Sequence, residues 1–130
     1  MFTDIYHTGY LTDDIGQAID LLRRTFGGTI IADRPASDGG RLAYVKVGSA
    51  EVELIEPADK SRLGGRTGLV LDHVGYTVAD IDQAIAELAG KGVRFQTAKP
   101  TINAVGQRMI YLDLATTGGS KMHLTEVRPG

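Results

Sequence analysis

Three histidines are present, and their positions are related to one another. His7 stands in His7-Thr8-Gly9-Tyr10 and His73 in His73-Val74-Gly75-Tyr76, so both occupy one position of a repeated motif. His123 stands in Met122-His123-Leu124-Thr125-Glu126. That segment matches Val52-Glu53-Leu54-Ile55-Glu56 near the end of the first half, which makes Glu53 the counterpart of His123. Two pairs of repeat-related positions therefore hold His and His, Glu and His. Imidazole and carboxylate are the donors that a borderline divalent metal prefers. A single strand histidine ordinarily makes a structural hydrogen bond. Here every histidine falls on a repeat-related position and the fourth such position is an acid, the pattern a shared metal site requires. Such a site would supply the chemistry of a bound divalent ion, Lewis acidity first. Three neutral imidazoles and one carboxylate would leave a divalent ion with one net positive charge.

The elements that must position these side chains also repeat. Asp14-Ile15-Gly16-Gln17-Ala18-Ile19 recurs as Asp80-Ile81-Asp82-Gln83-Ala84-Ile85 at the same offset as the histidine motif. Each half opens with a strand-like run rich in Ile, Val, Tyr and Thr, Asp4 to Leu11 and Leu71 to Val78. A helix follows, with Asp14 or Asp80 as N-cap and a Gln at the capping-box spacing. Ile15, Ala18, Ile19 and Leu22, like Ile81, Ala84, Ile85 and Leu88, form one apolar helical stripe per half. Gly27-Gly28, and Gly90 with Gly92, mark the helix ends. Strands are then expected at 29–33, 41–47 and 50–56, and at 93–97, 107–113 and 120–127. The order β-α-β-β-β thus occurs twice, in modules of about 4–57 and 71–127 joined by a linker of about 58–70. Two repeats are too few for a solenoid and should pair as one domain.

Strand alternation assigns the faces. Glu53 shares a face with Glu51 and Ile55, while Val52 and Leu54 point to the core; His123 shares a face with Lys121 and Thr125, opposite Met122 and Leu124. Gly9 and Gly75 lie on the histidine face of their strands, where they would leave room in a cleft or mark close approach in a twisted strand. The proton-transfer base such a site needs has candidates in Glu51, Asp38, Asp33 and the equivalent Tyr44 and Tyr111. Both tyrosines also suit aromatic strand packing with the hydroxyl reaching water. Lys60, Arg62 and Arg66 sit in the linker, where they read first as a solvated loop.

Composition excludes several other functions. With no cysteine among 130 residues, there is no disulfide framework, thiolate zinc site or cysteine nucleophile. A net charge of −2 argues against a nucleic-acid partner. No apolar run approaches the ~20 residues that span a bilayer, and Met1 to Tyr10 lacks the pattern of a secretion signal. The expectation is a cytoplasmic globular protein with 42% apolar residues to build its core.

With these features the chain resembles the glyoxalase, or vicinal oxygen chelate, superfamily over nearly its full length. Within it, the chain is most similar to the methylmalonyl-CoA epimerases. The resemblance rests on His7-Thr8-Gly9-Tyr10, Val52-Glu53-Leu54-Ile55-Glu56-Pro57, Asp72-His73-Val74-Gly75, Ala98-Lys99-Pro100-Thr101-Ile102-Asn103-Ala104-Val105-Gly106 and Thr117-Gly118-Gly119. It implies an α+β fold in which two βαβββ modules form a cupped, mixed eight-stranded sheet. It also implies a divalent metal (Co, Mn, Ni, Zn or Fe) on His7, Glu53, His73 and His123. The implied activity is that of an isomerase or epimerase moving a proton next to a carbonyl. The substrate would be a small carbonyl or carboxylate compound, acyl-CoA included, and the protein a homodimer. Two departures stand out. The fourth metal position is usually Glu in the epimerases, and here it is His123. The epimerases also carry a glutamate base where this chain aligns Ser37, which leaves Glu51 and Asp38 as the acids able to act. Glu126 faces away from His123 and cannot take its place. Other activities of the superfamily remain open: glyoxalase-type lyase, non-haem iron ring-cleaving dioxygenase with Glu53 as the acid, and metal-free drug sequestration.

Overall fold

The computed structural model describes residues 2–103 and 105–127. The first half builds β1 (Phe2–Thr12), α1 (Ile15–Phe26), β2 (Thr29–Pro35), β3 (Arg41–Val47) and β4 (Ala50–Glu56). The second builds β5 (Leu69–Val78), α2 (Ile81–Gly90), β6 (Thr101–Ile102), β7 (Arg108–Tyr111) and β8 (Met122–Glu126). The strands hydrogen-bond in the order β2-β3-β4-β1-β5-β8-β7-β6, an eight-stranded sheet that mixes parallel and antiparallel pairs. Two compact units result. His7–Asp72 form one, and the remaining described residues the other, which takes the start of β1 beside β5 through a 2.7 Å bond between the Thr3 and Thr77 hydroxyls.

Each unit has its own core, made by the helical stripe against the apolar strand face. Ile15, Ala18, Ile19 and Leu22 of α1 pack on Ala43, Val45 and Leu54. Ile81, Ala84 and Leu88 of α2 pack on Ile110, Leu112 and Leu124. Leu54 and Leu124 are completely buried, each worth about 1.5–3 kcal/mol of transfer free energy. Their burial sends the adjacent residues Glu53 and His123 to the opposite sheet face.

The helix starts follow the expected caps. The Asp14 carboxylate accepts from the Gln17 amide at 3.1 Å and that of Asp80 from the Gln83 amide at 3.0 Å. A second acid completes each start: Glu56 accepts the Ile15 amide and Glu126 the Ile81 amide, both at 3.0 Å. Glu126 thus spends a carboxylate oxygen on the helix side of β8, consistent with its exclusion as a metal donor.

Three details depart from the sequence reading. Gly90 is the last residue of α2 rather than its cap; Lys91 caps the helix, and Gly92 takes the left-handed turn at φ +89°. The strand expected at 93–97 reduces to one bridge, Phe95 to Leu112, and the pairing strand comes later, at β6. Pro100 offers no amide and restricts Lys99, so the chain leaves the ladder before re-entering it. The linker does more than span the halves. It contains a 3-10 turn, Lys60–Leu63, whose Leu63 is buried with Leu11 and Val70.

Candidate metal centre

In the first unit, ladder register brings three residues into line. Gly9 of β1 and Tyr44 of β3 both pair with Glu53 of β4. The Tyr44 hydroxyl donates to Glu53 Oε2 at 2.6 Å. The other oxygen, Oε1, stands 4.0 Å from His7 Nε2. His7 and Glu53 are 5% and 8% exposed. Two donors each about 2.1 Å from one ion stand no more than about 4.2 Å apart, so this pair is within the span of a single cation. The hydroxyl bond also occupies one carboxylate oxygen and leaves the other toward the histidine.

The second unit repeats the register with different chemistry. Gly75 of β5 and Tyr111 of β7 both pair with His123 of β8. The His73 and His123 rings lie with centroids 5.2 Å apart, tilted by 42°. Tyr111 meets His123 edge-on at 5.2 Å and His73 at 6.4 Å. His123 Nδ1 lies 3.2 Å from the hydroxyl of Thr125, two residues on along the same strand face. Lys121 places its ammonium 5.3 Å from the Tyr111 ring centre. His73 and His123 are as deeply buried as His7. All three buried imidazoles are donors of the kind that hold a divalent metal.

The candidate bases separate by environment. Glu51 sits on the Glu53 face of β4 and is half-buried; burial first, and the neighbouring Glu53 charge second, raise its carboxyl above the usual range. Asp38 lies in the turn between β2 and β3, accepting the Gly40 amide at 2.8 Å and the Ala58 amide at 3.5 Å. The Gly40 bond chiefly holds its carboxyl below the usual value, so Asp38 is a turn-fixing carboxylate. Asp33 is ion-paired with Arg41. In the linker, Lys60 pairs with Glu56 at 3.6 Å and the Arg66 Nε donates to the Leu63 carbonyl.

Sequence reading groups His7, Glu53, His73 and His123 as one candidate set; the structure brings Glu53 to His7 in one unit and His123 to His73 in the other. Sequence reading did not assign the Tyr44 hydroxyl to Glu53, although their equivalent register was visible. It also passed over Thr125, whose only signal was a hydroxyl on the face and strand of His123. Ala104, in one of the segments carrying the family resemblance, lies outside the described residues.

The profile of the Glyoxalase/Bleomycin resistance protein/Dioxygenase superfamily matches residues 6–111. No curated protein matches the sequence. Among solved structures, methylmalonyl-CoA epimerase from Mycobacterium tuberculosis superposes with a TM-score of 0.84 at 24% identity, over 98% of this chain and 90% of that one. A hypothetical protein from Bacillus halodurans gives 0.83 at 19% identity, over 97% and 95%. A variant of Streptomyces coelicolor methylmalonyl-CoA epimerase in complex with 2-nitronate-propionyl-CoA gives 0.82 at 23%, over 99% and 100%. Among the described residues, no helix is long and apolar enough to cross a membrane.

Proposed function

The chain belongs to the glyoxalase/bleomycin resistance protein/dioxygenase superfamily, and from that premise we propose that it is a divalent-metal-dependent isomerase or epimerase. Its metal donors are His7, Glu53, His73 and His123, and Glu51 is its proton-transfer base. The observation that carries this reading is the set of three buried histidines and one buried carboxylate in a fold shared with methylmalonyl-CoA epimerases. Glu53 and His123 face away from the apolar cores that Leu54 and Leu124 fill, and imidazole and carboxylate are the donors that a divalent metal prefers.

A divalent ion held by these four side chains supplies Lewis acidity toward a substrate carbonyl oxygen. The remaining work belongs to the chain. Three imidazoles bind as neutral donors, and Glu53 alone contributes charge. Tyr44 orients Glu53 by occupying its second oxygen. Glu51, two residues before Glu53 on the same strand face, takes the proton beside the carbonyl, and epimerisation is completed by a second proton donor on the opposite face of the planar carbon. A 2-carboxyacyl-CoA is the proposed substrate class, by likeness to the epimerases.

The test is elemental analysis of untagged protein purified without chelators, followed by α-proton exchange of methylmalonyl-CoA in D2O. The expected result is one equivalent of metal, lost in His7→Ala and in His73→Ala, with exchange that stops in Glu51→Gln. Metal retained in both histidine variants overturns the donor assignment. Oxygen uptake with a catechol, and no exchange, overturns the isomerase reading in favour of ring cleavage.

A further inference from the structure

Glycine weakens a strand interior, so a glycine in the middle of β5 needs a reason. At Gly75 the reason is an imidazole. A Cβ built there would stand 2.6 Å from His123 Nε2 and 3.2 Å from Nδ1, and closest of all to Cε1. Its three nearest neighbours are thus all ring atoms of one candidate donor. Gly40 differs: a Cβ there would strike the Glu56 carbonyl and the Ala58 amide, which are backbone. Gly28 differs too, since its Cβ would meet Val45 Cγ1 at 2.7 Å and the Leu22 carbonyl at 3.1 Å. Glycine is required at 28 and 40 by the packing of the chain, and at 75 by the position of one side chain that could otherwise swing. The backbone at Gly75 lies outside the left-handed region, so alanine is conformationally allowed there.

The ring seated on Gly75 is held at a second point. Thr125 is almost completely buried and its hydroxyl lies 3.2 Å from His123 Nδ1. In the first half the position equivalent to Thr125 is Ile55, beside a carboxylate that has no ring nitrogen to fix. The hydroxyl therefore accompanies the imidazole and is absent beside the acid.

We propose that Gly75 and Thr125 are positioning residues for His123. Gly75 seats the ring, and Thr125 accepts the Nδ1 proton, which leaves the Nε2 lone pair as the donor. A ligating histidine commonly has its tautomer set by the partner of its other nitrogen. The assignment of Nε2 as a metal donor rests on the function proposed above; the seating and the tautomer do not.

The test begins with chelator-stripped protein carrying 15N-labelled histidine, observed by long-range 1H–15N NMR. The wild type is expected to show His123 as the Nδ1–H tautomer. Thr125→Val should abolish that preference and Thr125→Ser restore it. Gly75→Ala should keep the circular dichroism spectrum while moving the His123 resonances toward those of a solvent-exposed ring. With Co(II) added, Gly75→Ala and Thr125→Val should each weaken binding by about ten- to hundredfold. In a His123→Ala background neither change should weaken it further. An Nε2–H tautomer in the wild type overturns the proposal, as do His123 resonances unmoved by Gly75→Ala. An equal loss of Co(II) affinity with and without His123 also overturns it. If the NMR results hold and no variant or wild type binds metal, the positioning stands and the metal reading fails.

Discussion

The two halves place different chemistry on the same backbone register. In the first, Gly9, Glu53 and Tyr44 line up across β1, β4 and β3; in the second, Gly75, His123 and Tyr111 line up across β5, β8 and β7. The tyrosines occupy equivalent positions and act differently. Tyr44 donates its hydroxyl to Glu53, and the Tyr111 and His123 rings meet nearly perpendicular with centroids 5.2 Å apart. The carboxylate takes a hydroxyl donor on one oxygen, while the imidazole has ring neighbours and a hydroxyl at Nδ1. The face neighbours differ in the same sense: Glu51 accompanies Glu53, and Lys121 accompanies His123. Register decides where a donor sits. The nearest hydroxyl and the charge beside it differ with the donor present.

The comparison can be broken most sharply at the donors. Glu53→Ala and His123→Ala should each lower divalent-metal affinity by more than about a hundredfold, since even partners outside the ligand set cost ten- to hundredfold. The loss should be greater for Glu53, which carries the only charge among the four proposed donors; chelator competition measures both. If His123→Ala proves the more damaging, the charge argument is wrong. Beneath the donors the halves should behave alike. Leu54→Ala and Leu124→Ala should each cost about 2–5 kcal/mol in urea unfolding, because both side chains are fully buried. Tyr44→Phe, which removes the hydroxyl that Glu53 accepts, should weaken metal binding by about tenfold or more, read in the same competition assay. The helix caps should again be equal: Asp14→Ala and Asp80→Ala should each lose about 1 kcal/mol of stability.

The smallest effect tests the Asp38 carboxylate in the turn between β2 and β3. Asp38 has a depressed carboxyl pKa in the folded protein. Its contribution is therefore present above the ordinary carboxylate value and is lost as pH falls through the lowered one. Asp38→Ala should be slightly less stable than wild type at neutral pH. The gap in melting temperature should close in strong acid. A gap unchanged with pH would show that the carboxylate charge does no work in that turn.

Much of this was legible in one dimension because burial and strand alternation are local properties. Leu54 and Leu124 are apolar, so the core takes them, and Glu53 and His123 must face the other way. The repeat makes His7, His73, His123 and Glu53 legible as one candidate set. The helix stripes and the aspartate caps were equally readable, since they depend on spacings of three and four residues. The short β6 was not, because the run at 93–97 has strand composition and only the path set by Gly92 and Pro100 takes it out of the ladder. Glu56 and Glu126 were not recognised as helix caps, since each reaches an amide 41 or 45 residues away.

By itself, then, the sequence determined the repeated module, the faces of its strands and the four candidate donors. Those follow from residue type and period. Tertiary structure alone decided which oxygen of Glu53 the Tyr44 hydroxyl occupies, that the His123 ring rests on Gly75, and that Thr125 reaches Nδ1. These are contacts across the ladder or rotamer choices, set at the scale of an ångström by packing, and no spacing along the chain encodes them.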